Sequence, residues 1–224
     1  VRTTNSDTTT DDTPPAKSIM GFVLERARGT TTNGNPDYDI HITFRGSRSG
    51  WAERAFQQAL RNVGNPDWVT DMNWRECIVV PDINAKGKAS MGFAVAMNKT
   101  LNNIFLCLNA IASKNQNKPS GIYITGHSLG GALAVMCSSA LSNSNSSYFT
   151  TYPYLKTWPW PNIDTYTYSA PTVGEKSFAD SFNSSVWCKR ILIDGDPITS
   201  AKVSGYHVGV RLMLPKIANQ SAIG

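Results

Sequence analysis

Apolar and polar positions follow two different repeats along this chain, and the first of them predicts strands. Residues 19–26 and 38–46 are runs of β-prone apolar residues. The turn-rich stretch between them contains Asn33-Gly34, a pair that is typical of hairpin turns. We therefore predict two neighbouring antiparallel strands near the start of a sheet.

The second repeat, in which apolar residues stand three and four positions apart, predicts two helices before the middle of the chain. In residues 51–61, Trp51, Phe56 and Leu60 lie on the apolar side and polar side chains lie opposite, which indicates a short amphipathic helix. A longer helix is predicted from about residue 90 to residue 114. Its apolar positions are Phe93, Met97, Leu101, Ile104, Leu108 and Ile111.

The second half of the chain alternates strand-like and helix-like segments. Strands that alternate with helices imply a largely parallel sheet with helices on both faces. We therefore expect an α/β fold in one domain over residues 1–224, in which residues 1–15, which are almost free of apolar side chains, form a solvated arm or loop. The predicted strands are 121–125, 164–170, 188–193 and 206–214, and the predicted helices are 128–141 and 175–182.

Composition and charge exclude several functional classes. The 224 residues, 41% hydrophobic and 17% charged, fit one ordinary globular domain, and no apolar run approaches the roughly 18 residues that a membrane-spanning helix needs. The formal net charge of +5 is spread along the chain instead of forming a tract, so no nucleic-acid partner is expected. The four cysteines have neither metal-ligand spacing nor the spacing of a redox motif.

The candidate chemistry begins at Gly126–Gly130, whose letters GHSLG stand between a predicted strand and a predicted helix. In that context the pattern is typical of a nucleophile elbow, a turn so sharp that the serine backbone is strained and glycine is needed on either side. The small residues Gly131 and Ala132 then favour close packing of the helix on the sheet. The alternative is an ordinary Gly/Ser turn. The glycine spacing of a dinucleotide site and the Gly-Lys-Ser/Thr of a phosphate-binding loop are both missing.

Six segments of the chain together resemble the class 3 lipases, which are α/β hydrolases related to the fungal triacylglycerol lipases. In order, they are ITFRGSRS, DWVTDM, MGF, GHSLGGALA, YSAPTVGEKSFA and RILIDGDPIT. The resemblance covers about residues 18–214 and implies an α/β-hydrolase fold with a helical lid. It also implies a serine esterase that acts on acylglycerols, and sometimes on phospholipids, at a lipid–water interface.

The resemblance assigns roles to individual residues. Ser128 matches the nucleophile, and Asp196 matches the acid that orients the catalytic histidine, with Asp194 as the neighbouring alternative. The backbone N–H groups of Leu129 and Ser47 match the two donors of the oxyanion hole. This mechanism needs no metal and no organic cofactor.

The helix predicted at residues 51–61 stands where these lipases carry their lid, and DWVTDM resembles the segment at its far hinge. A lid that opens onto lipid exposes its apolar side, here Trp51, Phe56 and Leu60, and burial in the interface offsets that exposure by about 1.5–3 kcal/mol per side chain. Peripheral membrane contact is therefore expected. The alternative is a fixed helix that packs on the core. The aromatic segment 148–162 is likewise either part of a lipid-binding groove or a stiff loop.

The catalytic base is the one role without an assigned residue. The chain has three histidines: His41 in a predicted strand, His127 in the elbow motif, and His207, which alone follows the acid as in the chain order of α/β hydrolases. The resemblance matches His207 to a histidine that is not the base, and it places the base in a later His-x-x-Tyr-like segment. The chain stops at Gly224 without such a segment, so we expect it to be part of a longer protein.

Three alternatives follow from this reasoning. If the chain is complete, it either recruits His207 as its base or is a catalytically inactive, lipase-like module that binds lipid or a partner. A phospholipase, or an enzyme that passes the acyl group to another alcohol, would carry the same residues. The sequence leaves the compartment open, because it shows no signal-peptide pattern, and only the family resemblance favours a secreted protein.

Overall fold

A six-stranded sheet forms the centre of the computed structural model, which describes residues 2–3, 18–46, 76–84, 86–156, 162–194 and 205–215. The strands are β1 (Arg2–Thr3), β2 (Ser18–Ile19), β3 (Gly21–Thr30), β4 (Pro36–Phe44), β5 (Cys77–Ile78), β6 (Ala89–Ser90), β7 (Gly121–His127), β8 (Ile163–Tyr168), β9 (Trp187–Ile193) and β10 (Val210–Leu214). The spatial order in the large sheet is β10-β9-β8-β7-β4-β3. Only the β3–β4 pair is antiparallel there, which confirms the predicted hairpin.

Helices join the parallel strands. They are α1 (Pro81–Asn84), α2 (Met91–Asn115), α3 (Leu129–Ser142), α4 (Ser147–Thr151), α5 (Pro153–Lys156) and α6 (Lys176–Ser185). In chain order α2 lies between β4 and β7, α3 between β7 and β8, and α6 between β8 and β9. Because such crossovers are right-handed in about 98% of cases and these strands follow one another across the sheet, all three helices lie on the same face.

The burial of alternate strand residues agrees with this topology. On the face under the helices, which we call the covered face, Ile40, Ile42, Ile122 and Ile124 are buried. Apart from Asp39 and Gly121, which are buried, the described strand residues on the other face, which we call the open face, are half-buried or exposed. The most exposed large side chains there are Phe22, Leu24, Tyr168, Trp187, Ile193, Val210, Leu212 and Leu214. The predicted parallel sheet is therefore confirmed, and the described crossover helices cover one of its faces.

The long predicted helix is confirmed as α2. Five of its six predicted apolar positions are buried, and Ile111 is half-buried. Burying each such side chain stabilises the fold by about 1.5–3 kcal/mol, so this row anchors α2 to the core. Helix α3 packs between α1, α2 and the sheet and is buried on nearly all sides. Within the described ranges, no helix combines the length and the apolarity that a bilayer crossing requires.

The Ser/Asn-rich loop and the aromatic segment after α3 differ from the sequence prediction. They contain two helices of about one turn, α4 and α5, which are too short to show a helical repeat in the sequence. The rings of Tyr148, Phe149 and Tyr152 lie 4.7, 5.2 and 6.5 Å from the ring of Phe105 in α2. Leu155 is buried as well. This part of the segment therefore packs on the core, while residues 157–161 lie outside the described residues.

The contact between α1 and α4 depends on one carboxylate. Asp82 Oδ1 accepts hydrogen bonds from Ser146 Oγ at 2.9 Å, from Ser147 N at 2.7 Å and from Ser147 Oγ at 3.0 Å. We expect Asp82→Ala to lower the free energy of unfolding by about 1–3 kcal/mol, because the partly buried Ser146 hydroxyl and the exposed Ser147 donors lose their charged acceptor. Urea unfolding measures this. The matched control is Asp180→Ala, which removes only an exposed pair with Lys176, and an equal loss in both variants would contradict the account.

Candidate active site

Ser128 lies at the sharp junction between β7 and α3. Its backbone has φ 54° and ψ −125°, in the left-handed half of conformational space that L-residues rarely adopt. Holding a non-glycine residue there costs about 1–3 kcal/mol, and such strain persists only where the surrounding structure enforces it. The side chain is partly exposed.

The hydroxyl of Ser128 does not cap the helix that follows it. A serine at an ordinary helix N-cap has extended backbone angles and accepts a hydrogen bond from an N–H of the first turn. Ser128 has neither feature. The missing cap argues against an ordinary Gly/Ser turn, because the Ser128 hydroxyl makes no helix-capping hydrogen bond that would offset the backbone strain.

Backbone hydrogen bonds hold the strained residue from both sides. The N–H of Ser128 donates to the carbonyl of Tyr168, the last residue of β8, at 2.9 Å. Its carbonyl accepts from the N–H groups of Gly131 at 2.9 Å and Ala132 at 3.3 Å. The elbow is thus fastened to the neighbouring strand as well as to α3. No local sequence pattern marks Tyr168, since only strand order and register bring its carbonyl to Ser128.

Close backbone approach explains the glycines of the motif. A Cβ on Gly126 would collide with the carbonyl group of Gly130, and a Cβ on Gly130 would collide with the carbonyl oxygen of Phe44. A Cβ on Gly131 would lie 2.7 Å from the Cβ of Ala170. Small residues at these positions therefore allow the first turn of α3 to sit directly against the ends of β4, β7 and β8.

Leu129 and Gly46, the residue before Ser47, lie at the same edge of the sheet as Ser128. Leu129 is the first residue of α3, where the helix N–H groups have no partner within the helix and carry a partial positive charge. Gly46 follows β4, and a Cβ on it would lie 2.9 Å from the carbonyl oxygen of His127 and 3.6 Å from the Cβ of Ser128. The chain thus passes directly beside the elbow just before Ser47, which itself lies outside the described residues.

The strand that precedes the proposed acid ends at the same edge. Ile191 of β9 is in register with Tyr168, which is in register with His127 next to Ser128. Asp194 directly follows β9, is exposed, and donates its N–H to the carbonyl of Leu214 at 3.0 Å. Asp196 lies outside the described residues. The lid residues Trp51, Phe56 and Leu60 do so as well.

His41 and His127 have surroundings unlike those of a general base. His41 lies within β4, and its ring stacks on Tyr123 with centroids 5.1 Å apart. His127 is exposed and belongs to the elbow itself. Neither forms an ion pair with a carboxylate among the described residues.

His207 precedes a segment that packs on the early part of β9, away from the elbow. Two residues after it, Gly209 packs so tightly on β9 that a Cβ there would lie 2.7 Å from the sulfur of Cys188. Through β8, Cys188 is in register with Ile124, four residues before Ser128. At about 3.3 Å per residue, this places Gly209 about 13 Å from the elbow along the strands, and two strand spacings add about 10 Å sideways.

The electrostatic setting of His207 is also unlike that of a base. Burial above all, together with the positive charges of Arg190 and Arg211, lowers the pKa of His207 to about 4. Its Nδ1 is buried and has no hydrogen-bond partner in the described part of the chain. A catalytic histidine needs an acid that orients it and favours its charged form. The surroundings of His207 do the reverse.

This pKa makes the stability of the fold depend on pH. The folded-state value lies below the ordinary value of 6.5, so as the pH falls the unfolded chain takes up a proton before the folded chain does. The contribution of neutral His207 to the free energy of unfolding is therefore complete above about pH 6.5 and is lost as the pH falls from about 6.5 to about 4. After a discount for partial solvent screening, we expect a loss of about 1 kcal/mol between about pH 7 and about pH 5.

Urea unfolding of the protein and of His207→Gln at both pH values measures this loss. The variant is expected to lack the His207 part of the pH dependence. An unchanged pH dependence in His207→Gln would show that other groups account for it.

The sequence matches one protein family. The model of that family, Lipase (class 3), matches residues 37–205. No curated protein sequence matches the chain.

The fold is similar to that of several fungal lipases. The triacylglyceride lipase of Rhizomucor miehei is 19% identical, and the match covers 87% of this chain and 66% of that chain with a TM-score of 0.54. A lipase of Rhizopus microsporus var. chinensis is 21% identical, with 87% of this chain and 62% of that chain covered and a TM-score of 0.55. The N225Q mutant of MDLA from Penicillium cyclopium is 19% identical, with 88% of this chain and 65% of that chain covered and a TM-score of 0.56. The chain therefore spans less than two thirds of the length of each of these lipases. The likeness shows the α/β-hydrolase fold.

Proposed function

Because the chain belongs to the class 3 lipase family, we propose that it hydrolyses carboxylic ester bonds of acylglycerols through an acyl-enzyme on Ser128. The observation that carries the proposal is the strained backbone of Ser128, whose hydroxyl does not cap the helix that follows. Strain of this kind clusters at functional sites. One matched structure is a triacylglycerol lipase whose catalytic centre is a serine protease triad.

The proposed reaction has two halves. In the first, Ser128 Oγ attacks the ester carbonyl carbon, its proton passes to a histidine that Asp196 orients, and the tetrahedral intermediate expels the alcohol, which takes up that proton. In the second, water attacks the acyl-serine, the histidine accepts and returns a proton, and the fatty acid leaves. The position and the pKa of His207 argue against that residue as the base.

The oxyanion of each intermediate is stabilised by backbone N–H groups in this proposal. Leu129 supplies one donor at the start of α3, and Ser47 supplies the second after Gly46, whose approach to the elbow supports this role. Loss of one such donor typically costs about 2.7–4 kcal/mol of transition-state stabilisation. Asp194 is the alternative acid, because it ends β9 at the edge where the elbow lies.

Trp51, Phe56 and Leu60 form the lid in this proposal, and their apolar side contacts lipid when the lid opens. One matched structure is a fungal lipase–inhibitor complex from which interfacial activation in lipases was inferred. The partner is then an acylglycerol at a lipid–water interface. If the lid contacts lipid, we expect ester hydrolysis to be faster on emulsified substrate than on dissolved substrate monomers.

The second candidate function is a lipase-like module that binds lipid without catalysis. The observation that favours it is the setting of the three histidines, since none has a carboxylate partner among the residues that the structure describes. Hydrolysis of a phospholipid, or transfer of the acyl group to an alcohol, would use the same serine.

A substrate comparison tests the proposal. Release of fatty acid is measured with the protein on an emulsified triacylglycerol, on a dissolved short-chain p-nitrophenyl ester and on phosphatidylcholine vesicles, each with and without an added alcohol. The proposal predicts hydrolysis of the first two and more free acid than transferred acyl ester. Vesicle binding without any ester cleavage would contradict it and favour the lipid-binding module.

A further inference from the structure

Two arginines lie side by side at the β9–β10 edge of the sheet. Arg190 in β9 and Arg211 in β10 are register partners in neighbouring parallel strands, so their side chains leave the sheet on the same face, about 4.8 Å apart at the backbone. Like charges at directly opposed positions destabilise a strand pair. Arg211 is exposed and Arg190 is half-buried, so the pair opens to solvent on one side.

His207 joins the two arginines on the covered face. The segment that carries it runs over the start of β9, where the N–H of Gly209 donates to Asn183 Oδ1 at 2.7 Å. The charges of Arg190 and Arg211 both act on His207. Arg190 Nε and His207 Nδ1 are each buried without a hydrogen-bond partner in the described part of the chain. Three basic side chains therefore lie near one another, and two of their buried nitrogen atoms have no hydrogen-bond partner among the described residues.

No acidic side chain balances this cluster within the described residues. The four ion pairs of those residues involve other side chains. Asp194 lies four positions beyond Arg190 on the same strand, about 13 Å away. On α6, the facing side chains Phe178, Ala179 and Phe182 are apolar, and Asp180 pairs with Lys176. A partly buried guanidinium and an imidazole nitrogen without a hydrogen-bond partner both lower the stability of the fold unless a ligand supplies the missing charge or hydrogen bond.

We propose that Arg190, Arg211 and His207 form a binding site for a phosphate group, either free inorganic phosphate or the phosphate of a lipid headgroup. Guanidinium groups match phosphate oxygens with paired N–H donors, and two of them balance a dianion. A tetrahedral phosphate offers more acceptor oxygens than a single carboxylate, so it can accept from both arginines and from an N–H of His207 at once. The site lies two strands away from β7 and is separate from the candidate active site.

Thermal unfolding with inorganic phosphate tests the proposal, against chloride at equal ionic strength. At a phosphate concentration about ten times the Kd, binding is expected to raise Tm by about 3–6 °C for a chain of this size. Arg211→Gln and Arg190→Gln are each expected to lose most of this rise, and Arg211 is exposed, so its variant is expected to fold. The matched control is Lys189→Gln on the same strand, whose ammonium lies over the Trp187 ring and which keeps the rise.

A second readout reports on the site directly. Bound phosphate places negative charge beside His207, so the pKa of this histidine, followed by NMR, is expected to rise when phosphate replaces chloride. The rise is expected to be absent in Arg211→Gln. Ser128→Ala is expected to keep both the Tm rise and the pKa rise, so the failure of this proposal and the failure of the proposed hydrolase are distinguishable.

Vesicles distinguish the two sources of phosphate. Binding is compared for phosphatidylcholine vesicles with and without phosphatidic acid, using the protein, Arg211→Gln and Lys189→Gln. Arginine-dependent binding to phosphatidic acid assigns the site to a headgroup, and an arginine-dependent Tm rise without vesicle binding assigns it to free phosphate. Equal behaviour of the protein and Arg211→Gln in all three measurements would overturn the proposal.

Discussion

Replacing Ser128 by alanine is expected to lower kcat/KM for ester hydrolysis by about 10⁴-fold or more, because the nucleophile is lost and only binding and oxyanion stabilisation remain. The fold is expected to survive, since the hydroxyl makes no helix-capping hydrogen bond and alanine leaves the backbone contacts to Tyr168 and Gly131 in place. Initial rates on a p-nitrophenyl ester measure the effect, together with Tm.

The matched control for this substitution is Ser120→Ala. Ser120 is exposed just before the start of β7, at the end of the strand far from the elbow, and its hydroxyl donates only to Asp37. Its removal is expected to leave kcat/KM within about twofold, as for a surface substitution away from the site. Residual activity of Ser128→Ala above about a tenth of the unsubstituted rate would contradict the assignment of the nucleophile.

Replacing Gly126 by alanine is expected to lower the free energy of unfolding by about 3 kcal/mol and the hydrolysis rate by about 100-fold. The added Cβ collides with the carbonyl group of Gly130 and forces the first turn of α3 away from β7. Because Ser128 and the N–H of Leu129 stand on that turn, a small displacement changes the distance between nucleophile and oxyanion donor. Urea unfolding and initial rates well below Tm separate the two effects.

Gly29→Ala provides the contrast. Gly29 has a positive φ of 126°, but a Cβ there meets nothing within 4 Å. Only the cost of backbone strain is expected, about 1 kcal/mol, and the hydrolysis rate is expected to stay unchanged. Equal losses of stability and activity in Gly126→Ala and Gly29→Ala would contradict the conclusion that close packing at the elbow requires glycine at position 126.

Local patterns predicted the parts of the fold that depend on neighbours in sequence. Asn33-Gly34 marked the β3–β4 hairpin, and the apolar repeat from residue 90 located α2 to within about one residue at each end. The GHSLG segment predicted the strand–turn–helix junction, because the sharp turn brings Gly126 so close to the carbonyl group of Gly130 that no Cβ fits there. These signals need no knowledge of the rest of the chain.

Features that depend on register between distant segments could not be predicted. The contact of Ser128 with Tyr168 and the pairing of Arg190 with Arg211 follow from strand order, which no local pattern encodes. The helices α4 and α5 are about one turn long. The rings of Tyr148 and Phe149 in α4 pack on Phe105, and Leu155 in α5 is buried, so the stability of both helices is tertiary. The roles of Ser128, Leu129, Ser47, Asp196 and the lid stay predictions.

The most direct test of the account is covalent labelling of the protein with a fluorophosphonate probe, followed by mass spectrometry of the proteolysed chain. Such probes trap a serine only where a base and oxyanion donors activate it. The account predicts one probe adduct per chain on the peptide that contains Ser128, and none in Ser128→Ala. The absence of an adduct under conditions that label a known serine esterase, or an adduct on another serine such as Ser169, would contradict it.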